Sequence, residues 1–321
     1  MRLTSSLLSL FTLSLLTASS AFAAEGWFSQ RRGEYDNLLK SKYSLPYHKG
    51  SFILPVVYNW SPNEKLYNEF KAIEPENAHN AYYEKIEAEF QVSFLLPVYR
   101  EIAKSNWDLF FGYTHHAWWQ LYNDEWSRPF RETNYTPEIF ARHMDKQPSK
   151  ILGLEFSAFD FGYMHNSNGQ IKLLSRSWDR LIARTFVDAS FVSMIVTGWY
   201  RLPKNQRTDQ NHDIYKYMGY GDVEFIKVIG KHSFNVSTQI GSEKFGGTVR
   251  YSYPWKDGFR WLVSFDGGYG RSLIEYNESV QRFGIGIALE NFLDNGPADF
   301  SDENTDIIRR KKRQEKNLEN N

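Results

Sequence analysis

The sequence predicts an all-β fold, an antiparallel transmembrane β-barrel of about twelve strands. Three observations carry that prediction: an export leader, period-two alternation in segments long enough to cross a bilayer, and aromatic residues near segment ends. Composition narrows the field further. The 321 residues carry 38 Lys+Arg against 38 Asp+Glu, which removes the electrostatic case for a nucleic-acid partner. Cysteine is absent, so disulfide scaffolds, thiolate metal sites and a cysteine nucleophile are excluded.

The leader comes first. Arg2 precedes an apolar run from Leu7 to Leu16, and small residues then end in Ala21-Phe22-Ala23, an A-x-A cleavage pattern. Residues 1–23 are therefore expected to be a signal peptide and 24–50 an irregular periplasmic lead-in. No later stretch reaches about 18 apolar residues, so residence in a membrane has to come from strands. The barrel is expected over 51–293, followed by a charged tail, 294–321, with Arg309-Arg310-Lys311-Lys312-Arg313.

Alternation then runs along the chain. Ile86, Ala88, Phe90, Val92, Phe94 and Leu96 share one face, with Glu87, Glu89, Gln91 and Ser93 on the other. Leu109, Phe111, Tyr113, Ala117 and Trp119 repeat the pattern, as do Phe283, Ile285, Ile287 and Leu289. Segments of this kind fall near 51–59, 84–96, 107–121, 136–143, 150–167, 175–187, 190–202, 214–229, 231–240, 245–253, 260–270 and 281–290. Many run to about 10 residues or more, which suits a tilted strand in a bilayer; strands of soluble proteins more often have about 5 or 6. Trp118, Trp119, Trp126, Trp178, Trp199, Trp255 and Trp261 lie within or close to the ends of segments, as interfacial girdles do. Arg180, Arg184 and Arg282 on the opposite face, with Glu87 and Glu89, predict a lumen filled by paired charges.

The stretch that carries chemistry is Phe161 to Gly169, followed by Ser175 to Asp179. Residues two apart in a strand share a face about 6.6 Å apart, which sets His165 beside Ser167. A hairpin after Asn168 returns the next strand alongside and brings Asp179 up to His165. All three fall on the apolar outward face, where polar groups need a reason. A Ser-His-Asp relay supplies one, with Ser167 as nucleophile, His165 as base and Asp179 fixing the imidazole. Wetted rim residues at two strand ends are the plain alternative.

These motifs resemble the outer-membrane phospholipase A family of Gram-negative bacteria. Tyr163-Met-His-Asn-Ser-Asn-Gly169 and Ser175-Arg-Ser-Trp-Asp179 are similar to its strand end and the start of its next strand. So, in the family's order, are Trp118-Trp-Gln-Leu121, Arg128-Pro-Phe-Arg-Glu-Thr-Asn-Tyr135, Lys216-Tyr-Met-Gly-Tyr220, Tyr269-Gly270 with Ser272-Leu-Ile274, and the alternating glycines from Gly284. The resemblance covers about Leu45 to Leu293. It implies a twelve-stranded barrel that hydrolyses sn-1 or sn-2 acyl esters of glycerophospholipids at an active site facing the outer membrane lipids. It also implies activation by homodimerisation, with His115 at the contact. It further implies Ca2+ on the Ser175 hydroxyl, the Gln170 carbonyl and Ser127 of a second barrel, and a Gly169 N–H in the oxyanion hole. The family's usual Asn is Asp179 here, and the hairpin reads Ile171-Lys-Leu-Leu174 where the family is more polar. Those two departures feed the rival expectation, an inactive barrel with a pore or structural role.

Overall fold

A computed structural model describes Phe28 and residues 48–63, 84–124, 128–144, 148–171, 174–205, 207, 209–256 and 258–289. The expected leader, 1–23, and the expected charged tail, 294–321, lie outside the described residues. Among the described residues the chain forms one antiparallel sheet in the order β1 (Phe52–Asn59), β2 (Ile86–Tyr99), β3 (Trp107–Trp119), β4 (Phe130–His143), β5 (Ser149–Ile151), β6 (Leu154–Ser167), β7 (Ser177–Asp188), β8 (Ser193–Arg201), β9 (Gly221–Ile229), β10 (His232–Ile240), β11 (Phe245–Pro254), β12 (Phe259–Gly268) and β13 (Val280–Leu289). Each strand pairs with its sequence neighbour, and β1 pairs with β13. β4 pairs with β6 past the short β5, so twelve strands close a barrel and β5 forms a small hairpin beside it.

The two faces of this wall invert the soluble pattern. Ile53, Val92, Leu96, Phe159, Phe161, Leu181, Val249, Phe265 and Ile285 are exposed, while Glu87, Glu89, Glu138, Asp160, Arg184, Arg260 and Arg282 are buried. An apolar exterior around a charged interior requires hydrocarbon as the outer medium, and closure leaves no sheet edge to satisfy. At one end the strands are joined by the short connections 100–106, 189–192, 230–231 and 255–258, together with 144–153. The other end carries 60–85, 120–129, 168–176, 202–220, 241–244 and 269–279. Short turns mark the periplasmic side and longer loops the outside of the cell.

The lumen is packed with ion pairs rather than open. Arg131 binds Glu87 at 2.7 and 2.8 Å and Glu275 at 2.9 Å. Arg282 also bonds Glu275. Burial alone would raise the Glu275 carboxyl, but Arg131 and Arg282 hold it below the ordinary range. Arg142 grips Asp160 with bonds of 2.7 and 2.8 Å, and Arg184 bridges Asp160 at 3.1 Å and Glu138 at 2.8 Å. Glu138 also receives His48 at 2.9 Å and Lys49. Arg180 departs from the expected pairing: it contacts the Met164 sulfur and lies 3.8 Å over the Trp178 ring. From the lead-in, Phe28 packs against Ile195 and Ile226 and its N–H donates to Asp188 at 2.9 Å, so this residue sits inside the barrel wall.

Three features differ from the sequence reading. Trp118, Trp178 and Trp199 are buried in the lumen, because their strand parity opposes that of the outward residues beside them. The aromatic contacts near the outer surface are instead Trp119 on Phe130, Tyr58 on Trp60 and Trp255 on Trp261; Trp126 lies outside the described residues. The segment drawn from 214 begins with a helical turn, α1 (Tyr215–Met218), closed by Gly219 at φ 65°, before β9 starts at Gly221. Finally, β4 starts at Phe130, not near 136. Its opening Arg131-Glu-Thr-Asn134 has no apolar alternation because it is buried in a polar interior. Glu132 and Asn134 there accept the Ile274 and Leu273 N–H groups, each at 3.1 Å, and so hold the loop 269–279 in the barrel mouth.

Candidate active site

The site is built at the long-loop end of β6 and β7. His165 pairs with Asp179 and Ser167 with Ser177, so the four side chains occupy one face of adjacent strands. Asp160, Met164, Arg180 and Arg184 are buried on the opposite parity, so that face is the lipid-facing one. His165 and Asp179 have side chains 34% and 35% exposed, open to whatever surrounds the barrel.

Imidazole Nδ1 lies 2.7 Å from Asp179 Oδ1. An ionised carboxylate only accepts, so Nδ1 carries a proton in this bond and the neutral ring has its lone pair on Nε2. The Tyr163 hydroxyl donates to the same Oδ1. Tyr163 precedes His165 by two residues on the shared face, and that spacing was the available sign of its involvement. Ser167 and His165 make no hydrogen bond to each other among the described residues. Such contacts are often long before a substrate is bound.

The hairpin that follows is organised by Asn168, which the sequence reading passed over. Its side chain is buried and its Oδ1 accepts from Arg176 N at 2.9 Å and Gln170 N at 3.3 Å, while Nδ2 donates to the Leu174 carbonyl at 2.8 Å. This is the work of an Asx turn. Gly169 follows at φ 65°, and a Cβ there would meet the Tyr135 ring at 3.1 Å. Its N–H makes no backbone bond among the described residues.

The candidate calcium ligands are split. Ser127 lies outside the described residues. Gln170 and Ser175 stand on the two arms of the hairpin, and the Gln170 carbonyl and Ser175 hydroxyl accept no hydrogen bond among the described residues. Both are oxygens of the kind a hard cation takes, so these residues fit calcium. Arg176 points the other way and is buried, 6.0 Å over the Tyr276 ring. Lys172 is outside the described residues.

His115 is half-buried on the outer wall. It stacks on Phe90 at 5.8 Å and meets Tyr135 edge-on at 5.1 Å. Tyr135 pairs with His115 across β3–β4 and with Ser167 across β4–β6, so these three residues form one row around the barrel. The ladder between β4 and β6 is interrupted just beyond, where Pro137 has no N–H to give.

The fold and the comparisons together define a class: a β-barrel enzyme of the Gram-negative outer membrane. A family model described as Phospholipase A1 matches residues 29–289, and the chain belongs to that family. The Phospholipase A1 of Escherichia coli is 34% identical over 259 residues, covering 77% of this chain and 85% of the relative. That of Salmonella typhimurium is 34% identical over 240 residues, covering 73% of each. Among solved structures, the outer membrane phospholipase A from Escherichia coli superposes with a TM-score of 0.72 at 29% identity, covering 84% of this chain and 100% of that one. A Salmonella typhi outer membrane phospholipase, a dimer with bound calcium, gives 0.71 at 30% identity, covering 80% and 97%. The chain is thus an outer-membrane phospholipase.

Proposed function

We propose that the enzyme is a calcium-assisted serine acyl hydrolase of glycerophospholipids, active as a homodimer, with Ser167, His165 and Asp179 as its relay. The observation that carries this reading is the 2.7 Å bond from His165 Nδ1 to Asp179 on a lipid-facing wall, two residues along the strand from a serine on the same face.

In this reading His165 Nε2 takes the Ser167 proton as Oγ attacks the ester carbonyl at either acyl position of the glycerol. Asp179 holds the imidazole in the required tautomer and stabilises its charged form, as the family's Asn does without a charge. The Gly169 N–H points a donor toward the developing oxyanion. His165 then returns the proton to the leaving lysophospholipid, and a water activated by the same nitrogen releases the fatty acid. Ser175 and Gln170, with Ser127 of a second barrel, are the residues to hold calcium, whose charge favours the oxyanion when bound. The row from His115 through Tyr135 to Ser167 runs toward the contact between barrels, where a polar ring is better satisfied by protein than by acyl chains.

Ser167→Ala is expected to abolish release of labelled fatty acid from phospholipid micelles while heat-modifiable barrel migration stays intact. Full activity in that variant would remove the mechanism. Chelation should stop the wild-type enzyme and calcium restore it, more completely for the crosslinked dimer; a rate indifferent to the metal would overturn that part. An inactive pore is disfavoured by the ion pairs of Arg131, Arg142 and Arg184 that fill the lumen, around a cavity of about 310 Å³.

A further inference from the structure

Beyond the relay, a cation among the described residues stands at the site. Ser177 is the direct cross-strand partner of Ser167. Lys204, in the long external loop after β8, donates from Nζ to Ser177 Oγ at 2.6 Å. The start of that loop is fixed to the site, since the Leu202 N–H bonds the Asp179 carbonyl at 2.8 Å. The neighbouring Arg201 is committed to Asp209 at 2.7 and 2.8 Å and to the His212 carbonyl at 3.1 Å. Lys204, half-buried, makes no ion pair with a carboxylate among the described residues.

Facing residues on one side of an antiparallel pair have Cβ atoms about 4.5–5.5 Å apart. The ammonium is thus bonded to the residue that faces Ser167 across the ladder, at the long-loop end of the barrel, within reach of a group one glycerol unit from a bound ester. In a glycerophospholipid the phosphate lies one glycerol unit from the scissile ester, which is the feature that separates this lipid from a neutral acylglycerol. An ammonium with donors to spare is a natural partner for phosphate oxygens.

We propose that Lys204 is the phosphate-binding residue of the substrate site, its ammonium contacting the headgroup phosphodiester while one of its N–H groups stays bonded to Ser177 Oγ. This rests on the hydrolase reading above and adds the substrate feature the site selects. Lys204 sets the preference for phosphorylated over neutral glycerolipids, and rising salt narrows that preference. Its charge also acts on Asp179, so the test has to separate recognition of the lipid from support of the relay.

Phosphatidylcholine and diacylglycerol of the same acyl chains, in the same mixed micelles with calcium, provide that separation. Lys204→Gln is expected to lower kcat/KM for the phospholipid about tenfold more than for the diacylglycerol, chiefly through KM, with barrel migration unchanged; Lys204→Arg should retain most of the preference. Equal losses on both lipids would assign Lys204 to Asp179 and overturn the inference, as would an unchanged ratio. Wild-type protein that hydrolyses neither lipid would fail the functional reading itself, a distinguishable result.

Discussion

Strands β6 and β7 carry polar side chains on both faces, and the two sets are treated in opposite ways. Inside, every oxygen of Asp160 is engaged: Arg142 binds both and Arg184 one of them. Glu138 likewise holds Arg184, His48 and Lys49. Outside, His165 has one partner for two ring nitrogens, and Ser167 has no hydrogen bond to it. The two lumen carboxylates are paired through both oxygens, since an unpaired buried charge costs several kcal/mol. Polar groups kept under-bonded at the lipid surface retain capacity for a substrate. Saturation marks the brace, and spare valence marks the chemistry.

Removing His165 and removing Glu138 should therefore break different things. His165→Ala is expected to lower kcat at least about 10³-fold with thermal stability of the barrel in detergent unchanged. Glu138→Ala leaves Arg184, His48 and Lys49 facing one another in the lumen. It should cost about 3–5 kcal/mol of stability, read as a lower denaturant midpoint of heat-modifiable migration, while the protein that remains folded keeps most of its activity. Loss of activity without loss of stability in the Glu138 variant would erase the distinction between the two faces.

The same contrast explains what could be read from the chain beforehand. His165, Ser167 and Asp179 are joined by a single hairpin, so strand periodicity alone was enough to bring them together. The barrel followed from apolar residues at every second position. What escaped was whatever depended on the polar interior or on distant loops. Arg131 to Asn134 reads as a loop until a charged lumen surrounds it, and Trp118 reads as a girdle residue until its parity is fixed by Trp119. The Tyr-Lys-Tyr-Met run of α1 imitates strand alternation over too short a distance to tell. Lys204 lies 27 positions from Ser177 in a loop with no periodicity, and only the fold brings it to the site.

The smallest effect tests how Asp179 is tolerated where the family has Asn. Tyr163 and His165 donate to the same carboxylate oxygen, so the phenol shares with the imidazole a charge on the outer wall. In the proposed relay Tyr163 would be a positioning residue acting through Asp179, since its hydroxyl bonds the carboxylate oxygen that the imidazole meets. Tyr163→Phe should lower kcat a few-fold and leave KM for phospholipid nearly unchanged. In an Asp179→Asn background the neutral amide oxygen needs no such support, and the same Tyr163→Phe change should cost close to nothing. The double-mutant cycle on kcat isolates that interaction, expected at about 0.5–1.5 kcal/mol, because the two groups touch and their effects are not additive. Equal losses from Tyr163→Phe in both backgrounds would mean that the ring acts by packing on the barrel wall, and the hydroxyl on Asp179 would then have no part in the catalysis.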